Sequence, residues 1–207
     1  MKIFIDFDDV LFNTKKFILE YLKIFKQYGI SEEIFKKYYY GEKRMNNGSK
    51  KYDFKKHLKR INRDFKIDIK NLESDINKFL FNTEKFIFKD VKKTLGNFKN
   101  DNLYILSYGD NKFQNKKIKN SGIADYFKKI IISQKKNKSF SLKEKKPFYF
   151  LDDRAAHLKD IKKSYPFATT ILVKRKEGRY NDNKNKHRDF EVKNLSEARK
   201  IIQSRYF

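Results

Sequence analysis

Ile3-Phe4-Ile5-Asp6-Phe7-Asp8-Asp9-Val10-Leu11 is the stretch on which the fold turns. Apolar residues followed abruptly by acids read as a buried parallel strand whose carboxyl end stops in negative charge. A core strand gains nothing from that ending, whereas the carboxyl edge of an open α/β sheet is where ligands bind. Asp6 and Asp8 project from that edge, two residues apart, towards the same place. Such a pair can hold a divalent cation through hard oxygens while one carboxylate attacks and the other handles a proton. Two acids after a short strand are equally what a surface turn contains. The balance shifts on a second acidic strand end, Phe148-Tyr149-Phe150-Leu151-Asp152-Asp153, which would bring four carboxylates to one sheet edge. That concentration of like charge is costly unless a metal neutralises it.

Between the two lies another apolar run, Tyr104-Ile105-Leu106-Ser107-Tyr108-Gly109-Asp110, ending in a hydroxyl and a glycine. Ser107, with the backbone N–H groups that follow it from Tyr108 onwards, is suited to a phosphate oxygen. The order Asp6-Phe7-Asp8-Asp9-Val10-Leu11, Ser107 after a strand, a lysine, then Asp152-Asp153 after another strand resembles the haloacid dehalogenase superfamily. The resemblance spans Met1 to about Val173 and leaves the helical middle of the chain unexplained. It implies a phosphatase-like enzyme in which Asp6 is the nucleophile that becomes an aspartyl-phosphate and Asp8 the acid and base. Ser107, Tyr108 and a lysine would hold the phosphoryl group. Mg²⁺ would sit on Asp6, the Asp8 carbonyl and Asp152, with Asp153 acting through water. Lys135, Lys136 and Lys138 are the candidate lysines, and Lys138 is preferred because Ser133-Gln134 closes a strand and the next helix should begin near Ser139. Asp9 stands where the family often has glycine, and Val10 where threonine is frequent; Asp9 is expected to turn away into a helix N-terminus.

Periodicity organises the rest. Helices are expected from Asn13 or Thr14 to Tyr28, from Glu32 to Tyr40, after Asp53 along Phe54, Leu58 and Ile61, and along Leu72, Ile76, Phe79 and Leu80. A polar loop over Gly41 to Lys50 separates the second from the third. Four helices are too many for one crossover, so residues 14–87 should form a helical cap inserted into a core made of residues 1–13 and 88–207. A lid at that place would exclude water while an aspartyl-phosphate forms. Tyr38, Tyr39 and Tyr40 read as cap core or as the cap's contact with the body, and His57 as a solvated side chain among basic neighbours. Downstream, helices at Asp90 to Leu95, Asp110 to Gly122, Phe140 to Lys145, Asp153 to Ser164 and Ser196 to Tyr206 alternate with strands at 103–106, 129–133, 148–151 and 169–173; Phe190 to Val192 offers a sixth strand. The fold class is therefore α/β, a doubly wound parallel sheet of order 3-2-1-4-5. The basic stretch Lys174 to Asp189, with Arg175, Arg179, Lys184, Lys186, His187 and Arg188, reads as a mobile solvated loop, an anion grip by Arg175 or Arg179 being the sharper alternative.

The 207 residues suffice for one α/β core and a smaller appendage, and the absence of cysteine excludes disulfides and thiolate metal sites. No apolar run approaches a membrane span and no signal-like segment precedes the first strand, so the expectation is a soluble, cytoplasmic protein with no membrane partner. Net charge is +25, from 51 Lys and Arg against 26 Asp and Glu. That field suits nucleic acid or phosphorylated substrates. Crowding with Lys, Asn, Ile, Phe and Tyr, which have A/T-rich codons, gives the charge a compositional origin that bears on solubility more than on function. The expected function is Mg²⁺-dependent hydrolysis of a small phosphate ester. Alternatives are action on nucleic-acid phosphate ends, or a non-catalytic nucleic-acid-binding relative, against which the presence of both Asp6 and Asp8 argues. A haloacid dehalogenase would not need Asp8 as an acid, and a phosphomutase would need a cap that holds a sugar bisphosphate.

Overall fold

The computed structural model describes residues 1–40, 52–98, 102–180 and 187–204. The expected loop over Gly41 to Lys50, the side chain of Tyr40, Lys184, Lys186 and the end of the last helix at Tyr206 lie outside the described residues.

Among the described residues six strands, β1 (Lys2–Ile5), β2 (Asn102–Tyr108), β3 (Lys129–Ser133), β4 (Phe148–Asp152), β5 (Thr169–Val173) and β6 (Phe190–Val192), form one parallel sheet. Its order is β3-β2-β1-β4-β5-β6, the expected arrangement extended by a sixth strand at one edge. Period-two alternation buries both faces. Ile3, Ile5, Leu103, Ile105, Tyr149, Leu151, Ile171 and Val173 enter one apolar cluster, and Phe4, Tyr104, Leu106, Phe148, Phe150 and Leu172 the other. Each such side chain contributes about 1.5–3 kcal/mol on leaving water. Ile5 pairs with Ile105 on one side and Leu151 on the other, so the residues that follow these strands emerge together at one edge.

Helices α1 (Thr14–Gln27), α2 (Glu32–Tyr40), α3 (Phe54–Asp64) and α4 (Ile69–Phe81) follow β1, and α5 (Val91–Gly96) leads into β2. Local chemistry sets their ends. Asn13 accepts from the Lys16 N–H at 2.9 Å, Asp53 from Lys56 at 3.0 Å and Asp68 from Asn71 at 3.0 Å, satisfying orphan donors of the first turns. Gly29, at φ +75°, takes the left-handed turn after α1. Phe17, Tyr21, Phe25, Phe35, Ile61, Leu72 and Ile76 of this insert belong to the same apolar cluster as one face of the sheet. Asn120 donates to the Leu80 carbonyl and Thr83 to the Lys117 carbonyl, both at 2.8 Å, tying the end of α4 to α6 (Asn111–Lys119). Helix α7 (Ala155–Ser164) links β4 to β5, and α8 (Leu195–Gln203) closes the described chain. No helix of the described residues is long and apolar enough to cross a membrane.

Three expectations differ from the structure. The helix over Phe140 to Lys145 is only a 3₁₀ turn, Lys138–Ser141, because Leu142 is the single buried apolar residue there and Lys143, Lys145 and Lys146 lead into Pro147, which disfavours a helical residue before it. The helix towards Gly122 ends at Lys119. His57, expected in solvent, is 1% exposed. Its ring stacks on Phe25 with centroids 5.0 Å apart, and Nδ1 lies 3.0 Å from the Tyr52 hydroxyl.

Candidate active site

The carboxyl edge of β1, β2 and β4 forms a pocket of about 90 Å³ bordered by Asp6, Asp8, Ser107, Lys138, Asp153 and His157, among others. Asp6 follows the last residue of β1, and its N–H donates to the Leu151 carbonyl at 2.8 Å, which holds it against the end of β4. Lys138, fully buried in the 3₁₀ turn after β3, lies 2.7 Å from Asp6 Oδ1 and 2.7 Å from Asp152 Oδ2. Lys135 and Lys136 are exposed, so of the three candidate lysines Lys138 alone reaches the acids. Burial pushes the Asp6 carboxyl up to about 7, a rise opposed by the Lys138 ammonium and reinforced by Asp152 and Asp8. Burial would lower the Lys138 pKa, but Asp152 and Asp6 outweigh it and raise it.

Asp8 meets the opposite environment. Thr14 Oγ1 and Lys117 Nζ donate to its Oδ1 at 2.8 and 2.7 Å, and Gln114 Nε2 to its Oδ2 at 2.6 Å. Burial works against ionisation, but Lys117 and Arg179 with these hydrogen bonds outweigh it and hold the carboxyl down at about 2. Lys117 is itself buried, its ammonium 4.8, 5.1, 5.4 and 5.9 Å from the ring centroids of Phe12, Phe17, Phe7 and Phe113. Gln114 also donates to Ser107 Oγ at 2.9 Å, linking the acid to the serine. A Cβ on Gly109 would stand 2.8 Å from Gln114 Cγ, so glycine there leaves Gln114 its place. Tyr108 ends β2 opposite Ser133 and borders the pocket.

Asp9 does not enter a helix N-terminus. It is fully buried at φ +60°, a left-handed conformation that glycine adopts freely and aspartate tolerates better than most residues. That backbone explains why a glycine suits this position. Its Oδ2 is 2.5 Å from Arg179 Nε. Arg175 is also fixed, pairing with Asp90 at 2.6 Å and donating twice to the Val10 carbonyl at 3.0 and 2.8 Å. Arg175 and Arg179 are thus anchored by carboxylates and the Val10 carbonyl, and Arg179 borders the pocket.

The paired acids of β4 meet different partners. Asp152 is saturated: Lys138 donates to Oδ2 at 2.7 Å, the Arg154 N–H to Oδ1 at 2.9 Å, and His157 Nδ1 lies 3.0 Å from both oxygens. Burial opposes its charge, but His157 and Lys138 keep its pKa below the usual carboxylate range. Asp153 Oδ2 is buried with no hydrogen-bond partner among the described residues, and burial, with Asp152, Asp6 and Asp9 nearby, drives its carboxyl well above its ordinary value. An orphaned carboxylate oxygen beside Asp6 fits a divalent cation held by hard oxygens. Gln114, Lys117 and His157 escaped the reading of the sequence because polar helix residues default to solvent. The signal was there in spacing: Gln114 and Lys117 share a face with Phe113 and Ile118, and all four are buried.

The chain matches the haloacid dehalogenase-like hydrolase family over residues 3–165. Among solved structures it is similar to a protein described as a haloacid dehalogenase-like hydrolase from Burkholderia xenovorans LB400, at 18% identity and a TM-score of 0.79, covering 100% of this chain and 98% of that one. It is similar to the HAD-hydrolase YfnB of Bacillus subtilis bound to magnesium, at 16% identity and a TM-score of 0.67, covering 97% of each chain. It is likewise similar to the L-2-haloacid dehalogenase of Xanthobacter autotrophicus with chloropropionic acid covalently bound, at 12% identity and a TM-score of 0.63, covering 98% of each. No curated protein matches the chain at a significant level. With its acids, serine and lysine arriving in that order on a doubly wound sheet, and with the family match running from the first strand through α7, the chain belongs to the haloacid dehalogenase-like hydrolases.

Proposed function

We propose that the protein is a metal-dependent phosphohydrolase that cleaves a small phosphate ester through an aspartyl-phosphate on Asp6. The observation that carries this reading is the asymmetry of the two acids. Asp6 lies against Lys138 and Asp152, while Asp8 is gripped by Lys117, Gln114 and Thr14, with Gln114 joining it to Ser107, so two carboxylates at one pocket meet different partners and can take different roles. The Asp6 carboxylate attacks phosphorus as the bond to the leaving oxygen breaks, and Asp8 protonates that oxygen. An arriving phosphate competes for the Lys117 and Arg179 charges that keep Asp8 ionised, so Asp8 takes up the proton it then delivers. Asp8 afterwards removes a proton from the water that hydrolyses the phosphoenzyme. Ser107 and Lys138 hold the phosphoryl oxygens as charge shifts. A divalent cation, Mg²⁺ being the ion in the Bacillus subtilis structure, would be held by Asp6, the Asp8 carbonyl and Asp153, and would neutralise phosphoryl charge while favouring ionised Asp6. In this assignment Asp153 replaces Asp152 as the ligand, and Asp152 positions Lys138 and His157.

The insert over residues 14–87 serves as the cap. Tyr39 and Tyr52 from it border the pocket, whose small volume favours a small ester over a polymer. The test is phosphate release from nucleotides, sugar phosphates and phosphorylated oligonucleotide ends, with and without Mg²⁺, beside halide release from 2-haloacids. Mg²⁺-dependent phosphate release that Asp6→Asn abolishes is the expected result. Halide release without phosphate release would replace this reading with a dehalogenase, for which Asp8 has no acid to supply.

A further inference from the structure

The cations that border the pocket differ in what they hold. Lys117, Lys138 and Arg179 each meet a carboxylate, those of Asp8, Asp6 and Asp9 respectively. Arg154, half-buried just before α7, borders the same pocket, yet its guanidinium pairs with no carboxylate among the described residues. The residue is not loosely placed. Its backbone N–H donates to Asp152 Oδ1 at 2.9 Å, and its guanidinium carbon stands 4.7 Å from the centroid of the Tyr180 ring. The same ring has the Arg179 guanidinium at 5.4 Å. An aromatic face attracts a cation, but two guanidiniums at one ring repel each other, and an anion that meets them relieves the repulsion. A phosphoryl group on Asp6 and Ser107 lies towards the other side of the site. Ser107 belongs to β2 and Arg154 follows β4, two strand positions along the sheet, which separates their backbones by about 10 Å.

We propose that Arg154, held on the Tyr180 ring beside Arg179, is a subsite for a second anionic group of the substrate, so that the preferred substrates are short phosphate esters that also carry a carboxylate or a second phosphate. A planar guanidinium fork matches either oxyanion. The pocket volume of about 90 Å³ leaves room for only a few carbons between the two groups. The inference rests on the phosphohydrolase reading and names its substrate class.

The probes are 2-phosphoglycolate, the bisphosphate of ethane-1,2-diol and ethyl phosphate, which place a carboxylate, a phosphate and no second charge on two-carbon chains. Each is titrated by calorimetry, with Mg²⁺ present, into the full chain carrying Asp6→Asn, so that binding is read without turnover; hydrolysis is followed separately in the unaltered protein. At least one doubly anionic probe should bind about tenfold or more tighter than ethyl phosphate, and adding Arg154→Gln should remove that preference. Arg154→Lys, which keeps the charge and loses the fork, should retain part of it and serves as the test if the glutamine variant folds poorly. Comparing the two doubly anionic probes tells carboxylate from phosphate. Attraction by the net charge of +25 at large would survive Arg154→Gln, so a preference left intact in that variant overturns the proposal. An equal loss for all three probes would put Arg154 on the phosphoryl group itself and overturn it too, as would equal binding or no binding of the three in the parent chain. If the preference is present and depends on Arg154 while the unaltered protein hydrolyses none of the probes, the subsite stands and the phosphohydrolase reading fails.

Discussion

Asp6 and Asp8 stand two residues apart and are pulled in opposite directions, the first by burial among other acids, the second by Lys117, Gln114 and Thr14. Their substitutions should therefore fail differently. Asp6→Asn should leave no measurable turnover with the fold retained by circular dichroism. Asp8→Asn should slow turnover about a hundredfold or more and, with an aryl phosphate whose leaving group needs no acid, should accumulate a phosphoenzyme detectable by mass spectrometry. Near-normal turnover in Asp6→Asn would end the covalent mechanism. His57 makes a separate prediction about stability. Burial, with Arg60 nearby, lowers its pKa from 6.5 to about 3. Above pH 6.5 the imidazole is neutral whether the chain is folded or not; as the pH falls below that value only the unfolded chain gains the proton, and stability drops by about 1.4 kcal/mol per pH unit towards about pH 3. Urea unfolding at about pH 7.5 and about pH 5 should differ by about 2 kcal/mol more in the natural protein than in His57→Phe, which keeps the ring stack. Equal differences would show that His57 does not report burial. At this scale the meeting of Asp6, Asp8 and Ser107 at one pocket was legible because acids and a hydroxyl at strand ends have no structural use, and that of Lys138 because its loop follows β3 just before β4. That Asp152, and not Asp153, meets Lys138 and His157 was not legible, since it depends on which carboxylate those two distant side chains reach.

Strands β1 to β5 could be read almost to their ends because the pattern is nearly continuous apolar, with both faces buried in β1, β2, β4 and β5 and partly buried in the edge strand β3. Capped helices were as plain, since Asn13, Asp53 and Asp110 announce their own first turns. What local pattern does not carry is a charged side chain drawn inward by a distant partner. The segment after β5 looked like solvated loop, yet Arg175 ties it to the Val10 carbonyl in the loop after β1 and to Asp90, whose Oδ2 also accepts from the Leu195 N–H at the start of α8. One guanidinium thus fastens three elements. Arg175→Ala should cost about 3–5 kcal/mol in urea unfolding, because it strands a largely buried carboxylate and a carbonyl. Arg175→Lys should rescue less than half, since an ammonium cannot make the forked contacts. Full rescue by lysine would mean that charge alone matters there.

At the scale of the molecule, a net charge of +25 surrounds a pocket that few of those charges touch. A small ester gripped by Ser107, Lys138 and a cation should show kcat/KM that falls only gently with ionic strength. An oligonucleotide phosphate bound along a basic surface should instead lose affinity steeply, with a slope set by the number of phosphates contacted. Measuring both over one salt series decides whether the charge is part of the mechanism; a much higher, salt-sensitive kcat/KM for the oligonucleotide would make it so. That four helices follow β1 was legible from periodicity, whereas their sharing of an apolar cluster with the sheet was not, because periodicity tells which face is buried but never against what. That shared cluster reaches the chemistry at Lys117, whose ammonium touches the rings of Phe7, Phe12, Phe17 and Phe113 and the Asp8 carboxylate at once. Interior phenylalanines elsewhere can be exchanged over evolutionary time at a cost only in robustness. Here a change of ring to aliphatic chain alters the environment of the cation that holds Asp8 ionised, so ordinary drift in the interior would shift the pH dependence of any step that uses Asp8.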